Sequence, residues 1–132
     1  MPDDLRENGI VHIQSEHSVD DTVSHLQQML EAQAVKIFAI VDHSGEAEKV
    51  GLRMLNTKLV IFGNPKAGTP LMLAAPTIAL DLPLRILVWE DHEARVWVTY
   101  NDPEFLGNRH HLPLHLMGTL TVVGRLADEI AH

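Results

Sequence analysis

Leu59-Val60-Ile61-Phe62-Gly63-Asn64-Pro65-Lys66-Ala67-Gly68-Thr69-Pro70-Leu71-Met72-Leu73-Ala74-Ala75 is the stretch on which the architecture turns. Residues 58–62 read as a strand, apolar and partly β-branched after Lys58. Residues 63–70 hold two glycines and two prolines and read as a loop. Thr69 is placed to cap the helix that follows, and Pro70 suits its first position, where no N–H is needed. That helix is expected to stop before Pro76. Between a strand and a helix, Gly63, Gly68 and Thr69 nearly have the spacing of a phosphate-binding loop. The lysine required between the second glycine and the hydroxyl residue is missing, and Pro65 removes one N–H of the cradle. Nucleotide hydrolysis is therefore not expected. Two readings of the loop stay open. Free N–H groups at the helix start, with Lys66 beside them, could hold a small anion; or the glycines only supply positive φ for a tight turn.

Upstream, residues 9–13 read as a first strand. Ser18 then looks like an N-cap, with Asp20 and Asp21 suiting the positive end of a helix. Val19, Val23, Leu26 and Leu30 recur at helical spacing on a helix ending near Ala34. Residues 36–41 form a second strand, left through Asp42-His43-Ser44. Ser44 is expected to cap a short helix that ends at Gly51. Downstream, residues 84–90 and 95–100 make a hairpin across Asp91-His92-Glu93-Ala94. If Glu90 faces Arg95, Val88 faces Trp97 and Arg85 faces Tyr100. Asp102-Pro103 starts a short helix to about His110. Leu116, Leu120, Val123, Ala127 and Ile130 stripe a last helix, begun at Pro113 and weakened by Gly118 and Gly124. The order β-α-β-α-β-α-β-β-α-α predicts an α+β fold: a mixed, mostly antiparallel sheet with helices on one face, a two-layer sandwich.

The bulk numbers narrow the function classes. At 132 residues, with neither repeat nor linker, one domain over residues 1–132 is expected. The absence of cysteine rules out disulfides, thiolate ligands and a cysteine nucleophile, and suits a cytoplasmic protein. A formal charge of −8, with ten scattered basic residues, disfavours nucleic acid as a partner. The start Met1-Pro2-Asp3-Asp4 lacks the pattern of a secretory signal. Pro76, Asp81, Pro83 and Arg85 interrupt the apolar runs well short of the roughly 20 residues of a membrane span. A soluble chain with no membrane partner is expected.

With these elements placed, Ile61-Phe62-Gly63-Asn64-Pro65-Lys66-Ala67-Gly68-Thr69-Pro70-Leu71-Met72 closely resembles the signature segment of the domain of unknown function 302 family. The resemblance extends to Asp42-His43, to Leu80-Asp81-Leu82-Pro83-Leu84-Arg85 with Trp89-Glu90-Asp91, and to Tyr100-Asn101-Asp102-Pro103. It implies a small α+β two-layer sandwich and a homo-oligomer, and brings no established reaction. Ala94-Arg95 departs from it, since relatives often carry glycine in this turn.

The candidate side chains have plain structural readings beside functional ones. His43, where a strand gives way to a helix, is either a general base or ligand contact or a sheet-edge residue beside a capping Asp42. Arg85 with Tyr100 could bind a carboxylate or phosphate, or Arg85 could pair with Asp81 or Asp102 to fix the hairpin. His110, His111 and His115 suggest a metal set, but Pro113 breaks the helix that would align His111 with His115, and there is no H-E-x-x-H. No metal and no cofactor are expected. Trp89 and Trp97 read as core or interface aromatics. Two functions follow. One is a small anionic ligand bound by His43, Asn64, Lys66, Gly68, Thr69, Arg85 and Tyr100. The other is a non-catalytic homodimer whose hairpin, through Val96, Trp97 and Val98, or last helix buries a partner. The reaction, if there is one, is not legible.

Overall fold

Four polar side chains set where helices begin. The Ser18 hydroxyl accepts from Asp21 N, Asp42 Oδ1 from Gly45 N, Asn64 Oδ1 from Lys66 N and Asp102 Oδ1 from Glu104 N. In this computed structural model, which describes residues 6–132, they head α1 (Val19–Ala32), α2 (His43–Lys49), α3 (Pro65–Ala74) and α4 (Pro103–Arg109). The acidic start Met1-Pro2-Asp3-Asp4 lies outside the described residues. A fifth helix, α5, spans Gly118–Ala131. The strands are β1 (Ile10–Ser15), β2 (Lys36–Asp42), β3 (Thr57–Gly63), β4 (Leu84–Glu90) and β5 (Val96–Asn101).

The strands form one sheet in the order β1-β5-β4-β3-β2, and every neighbouring pair is antiparallel. The expected mixed sheet is thus a purely antiparallel one. One sheet face carries Val60, Phe62, Ile86, Val88 and Val98, all buried. The α1 stripe of Val19, Val23, Leu26 and Leu30 covers it, with Leu120, Val123, Ala127 and Ile130 of α5. Gly124 in mid-helix has a packing reason, since a Cβ there would stand 3.3 Å from the Tyr100 hydroxyl. The opposite face, with Leu59, Ile61, Arg85, Leu87 and Trp89, is half-buried.

Four local expectations are corrected. Helix α3 begins at Pro65 and not Pro70, because Asn64-Pro65 offers the same cap-then-proline signal five residues earlier, and asparagine caps well. Residues 63–70 are therefore mostly helix, with Pro70 inside it. Asp42, not Ser44, caps α2; the Ser44 hydroxyl donates to Asp42 Oδ1 and accepts from Thr57 N. Pro113 opens a short 3-10 turn at Leu114–Leu116, and α5 starts only at Gly118.

The hairpin register lies one residue from the expected one, pairing Glu90 with Val96, Val88 with Val98 and Ile86 with Tyr100. The turn decides this. Asp91 N donates to Arg95 O, Ala94 N to Asp91 O, and Ala94 takes a left-handed φ of 61°, which makes a three-residue loop. The Asp91 carboxylate also accepts from Glu93 N and Arg95 N. These bonds outweigh an exposed Glu90–Arg95 charge pair.

Candidate functional site

Around the first turn of α3 lies a cleft of about 290 Å³, walled by Phe38, Pro65, Met72, Leu82, Pro83 and Leu84. Gly63, Asn64, Gly68, Thr69 and Thr119 complete it. A neighbouring hollow of about 250 Å³ shares Gly63, Asn64, Leu84 and Thr119, and continues between Val35, Val122 and Leu126. The walls are almost wholly apolar, so this is a place for a hydrophobic group. An anion cradle is not formed here. Lys66 N is held by the Asn64 side chain, and Ala67 N and Gly68 N both donate to Asn64 O. The Lys66 side chain stands in solvent.

The seven residues expected to share a ligand are not brought together. Asn64, Gly68 and Thr69 line the cleft, with Lys66 on the same turn. His43 is exposed at the other end of β3, because Asp42 pairs with Lys58 while Lys36 pairs with Gly63. Five residues of strand separate those ends, about 17 Å. Arg85 pairs with Ile61 on the uncovered sheet face. Tyr100 lies opposite Ile86 on the helix-covered face, so it cannot stack on Arg85. Burial, chiefly, pushes the Tyr100 hydroxyl above its ordinary pKa. Asp81 and Asp102 do not pair with Arg85 either: the first is taken by Arg109 and His110, the second by its capping role. Arg85 Nε is buried and has no hydrogen-bond partner.

On the uncovered face the Thr99 hydroxyl joins His12 Nδ1, at 2.9 Å, to Trp89 Nε1, which donates at 2.8 Å. The His12 ring meets both Trp89 and Trp97 edge-on. Trp97 Nε1 donates to Asp91 Oδ2, and this bond foremost, with the backbone N–H groups of Arg95 and Glu93, holds the Asp91 carboxyl below the usual range. Asp42 is likewise lowered, first by the Gly45 N–H and then by the Ser44 hydroxyl. Val96, Trp97 and Val98, offered by the sequence as a surface for a partner, are all buried within the domain itself. The large exposed apolar side chains lie elsewhere. They are Phe38 and Ile40 on β2, Val50, Leu52, Met54 and Leu55 in the stretch that leads into β3, and Leu73, Leu80, Phe105 and Leu114, scattered over α3, α4 and the 3-10 turns.

A polar cluster that the sequence reading missed joins the 3-10 turn Pro76–Leu80 to the end of α4. Thr77 Oγ1 is 2.9 Å from His110 Nδ1, and His110 Nε2 is 2.5 Å from Asp81 Oδ2. Arg109 Nη1 donates to both Asp81 oxygens, at 3.1 and 3.3 Å. His110 was legible only as one of three histidines near Pro113, and its partners lie 29 and 33 residues away in sequence. Among the described residues, no three His, Cys, Asp or Glu side chains are grouped to hold a metal ion.

The model of the family described as "Domain of unknown function DUF302" matches residues 11–130. The chain belongs to the DUF302 family. An uncharacterized conserved DUF302 protein from Bacillus stearothermophilus, known as a crystal structure, superposes on this DUF302 domain with a TM-score of 0.76. The match covers 93% of this chain and 95% of that one, at 10% identity, and so shows a shared fold. Two Brucella proteins, of B. suis biovar 1 (strain 1330) and B. abortus biovar 1 (strain 9-941), are each 44% identical over 108 residues, 82% of this chain. Both are named fluoride-specific ion channel FluC 1, and the match spans 42% and 40% of their lengths. This chain thus spans about two fifths of the curated relatives it matches. Among its described residues no helix is long and apolar enough to cross a membrane.

Proposed function

We propose that this DUF302 domain is a homo-oligomeric interaction module that pairs through β2 and the adjoining residues 50–55. One observation carries the reading: Lys36-Ile37-Phe38-Ala39-Ile40-Val41-Asp42 has a core-strand sequence, yet none of its residues is buried. β2 is an outer strand, so one row of its backbone N–H and C=O groups has no strand partner. An apolar outer strand is a template for pairing with another chain. A bulge between Ile37 and Ala39, and the Lys36 ammonium 4.8 Å over the Phe38 ring, shield one end of the strand. The half nearer Asp42 is left for a second β2, antiparallel across a two-fold axis. Val50 and Leu52, 73% and 65% exposed, follow α2 in the chain and would be covered in the same dimer. Such a domain suits a pairing unit in a larger protein, the setting in which the Brucella relatives carry their DUF302 part. Light scattering tests it. A mass near twice the 14.7 kDa of one chain is expected, falling to one chain in Ile40→Lys. A monomeric wild-type protein at high micromolar concentration would sink the reading.

A second reading rests on the cleft beside Asn64 and Thr69. A small ligand with an apolar body and an anionic end would place the body against Phe38, Met72 and Leu84, and the charge near Lys66 at the rim. Thermal shift with octanoate, octanol and sodium fluoride separates the contributions. Ligand at 100 times its dissociation constant adds about 2.7 kcal/mol of stability. Octanoate is expected to stabilise the protein, and less so in Lys66→Ala. Equal stabilisation by octanol removes the anionic end, and stabilisation by fluoride alone removes the apolar body.

A further inference from the structure

The Thr77–His110–Asp81 cluster goes beyond pairing and ligand binding, because it orders a hydroxyl, an imidazole and a carboxylate in line. With Asp81 ionised against Arg109, its oxygens only accept, so His110 Nε2 carries a hydrogen toward Oδ2. The neutral ring then has its lone pair on Nδ1, and the Thr77 hydroxyl must donate to it. The imidazole and carboxylate are sheltered, with side chains 5% and 16% exposed, whereas Thr77 is at the surface. A sheltered base oriented by a carboxylate and holding the proton of an accessible hydroxyl is the arrangement that activates nucleophiles.

We propose that Thr77 is a nucleophile toward small carboxylic esters, with His110 as general base and Asp81 as the residue that positions it. Thr77 Oγ bonds to the acyl carbon while its proton passes to His110 Nδ1. The ester C–O bond then breaks, and the departing alkoxide takes that proton. Water, deprotonated by the same nitrogen, attacks the acyl carbon; the bond from that carbon to Thr77 Oγ breaks, the carboxylic acid leaves, and Thr77 Oγ takes the proton back from His110. Because Thr77 faces solvent, water stabilises the oxyanion, and only esters with good leaving groups should react.

The test is p-nitrophenyl acetate with the full chain, following nitrophenolate release and mapping acetyl groups by peptide mass spectrometry. Exposed histidines such as His43, His92 and His111 hydrolyse this ester without a site, so the acetyl adduct on Thr77 is the deciding signal. Acetylation of Thr77 is expected in the wild type and in Thr77→Ser, at residue 77, and none in Thr77→Val. His110→Gln and Asp81→Asn should slow it at least about a hundredfold, the low side of what a positioned base supplies. Asp81→Glu should restore part of the rate, which loss of a merely structural contact would not explain. Circular dichroism shows which variants stay folded, and Asp81→Asn decides the case if His110→Gln unfolds. The proposal fails if Thr77 is not acetylated, or if folded Asp81→Asn acetylates it at the wild-type rate.

Discussion

Arg85 is the least comfortable residue in the molecule. Its strand neighbours Leu84 and Ile86 are core, and its Nε is buried without an acceptor. An unsatisfied buried donor on a charged group costs more than the same space filled with carbon. Arg85→Leu is therefore expected to raise stability by about 1 kcal/mol, read as a higher urea midpoint at unchanged slope. A lower midpoint would mean that the guanidinium holds the sheet by contacts other than hydrogen bonds. Asp91 works in the other direction. Its folded-state pKa lies below the unfolded value, so its contribution is complete above about pH 4 and is lost as pH falls through the lowered value. Asp91→Asn should be less stable at pH 7 and lose less on acidification below pH 4, because asparagine does not titrate. Parallel pH profiles for the two proteins would contradict this. Composition and periodicity do not reveal either role. Arg85 was legible as an anomaly in an apolar run, but its face depended on a register that the turn shifted by one residue.

At the scale of elements, the sequence was informative wherever a period was long enough to average over local signals. The α1 stripe, the order of all ten main elements and the single helical layer follow from it. Short-range competition was not legible. Asn64-Pro65 and Thr69-Pro70 carry the same cap signal, and only the packed helix chooses between them. The candidate ligand set came apart for a longer-range reason, because strand pairing puts His43 at the far end of β3 and Arg85 and Tyr100 on opposite faces of the sheet. The hairpin offers a direct check. Ala94 holds a left-handed φ of 61° that costs a residue with a Cβ about 1 kcal/mol. Ala94→Gly is expected to stabilise the protein by up to that amount in chemical denaturation. A destabilised variant would show that the turn is held by the Ala94 side chain and not merely tolerated.

For the whole molecule, the sequence showed five strands without showing which would lie outermost. Order β1-β5-β4-β3-β2 leaves Ile37 to Val41 at a margin, although those residues read like a central strand. Conversely, it buries Trp97, which read like a partner-facing aromatic. A surface is a property of topology, and topology rests on contacts between residues far apart in sequence, such as Ile10 with Asn101. In the proposed dimer the exposed half of β2 is the interface between two copies. Amide hydrogen exchange measured at low and high micromolar chain concentration tests it most directly. Protection of Ala39, Ile40 and Val41 should rise with concentration, together with that of residues 50–55, while the exposed turn at His92 and Glu93 stays unchanged. Exchange of β2 that is the same at every concentration would rule out pairing through this strand.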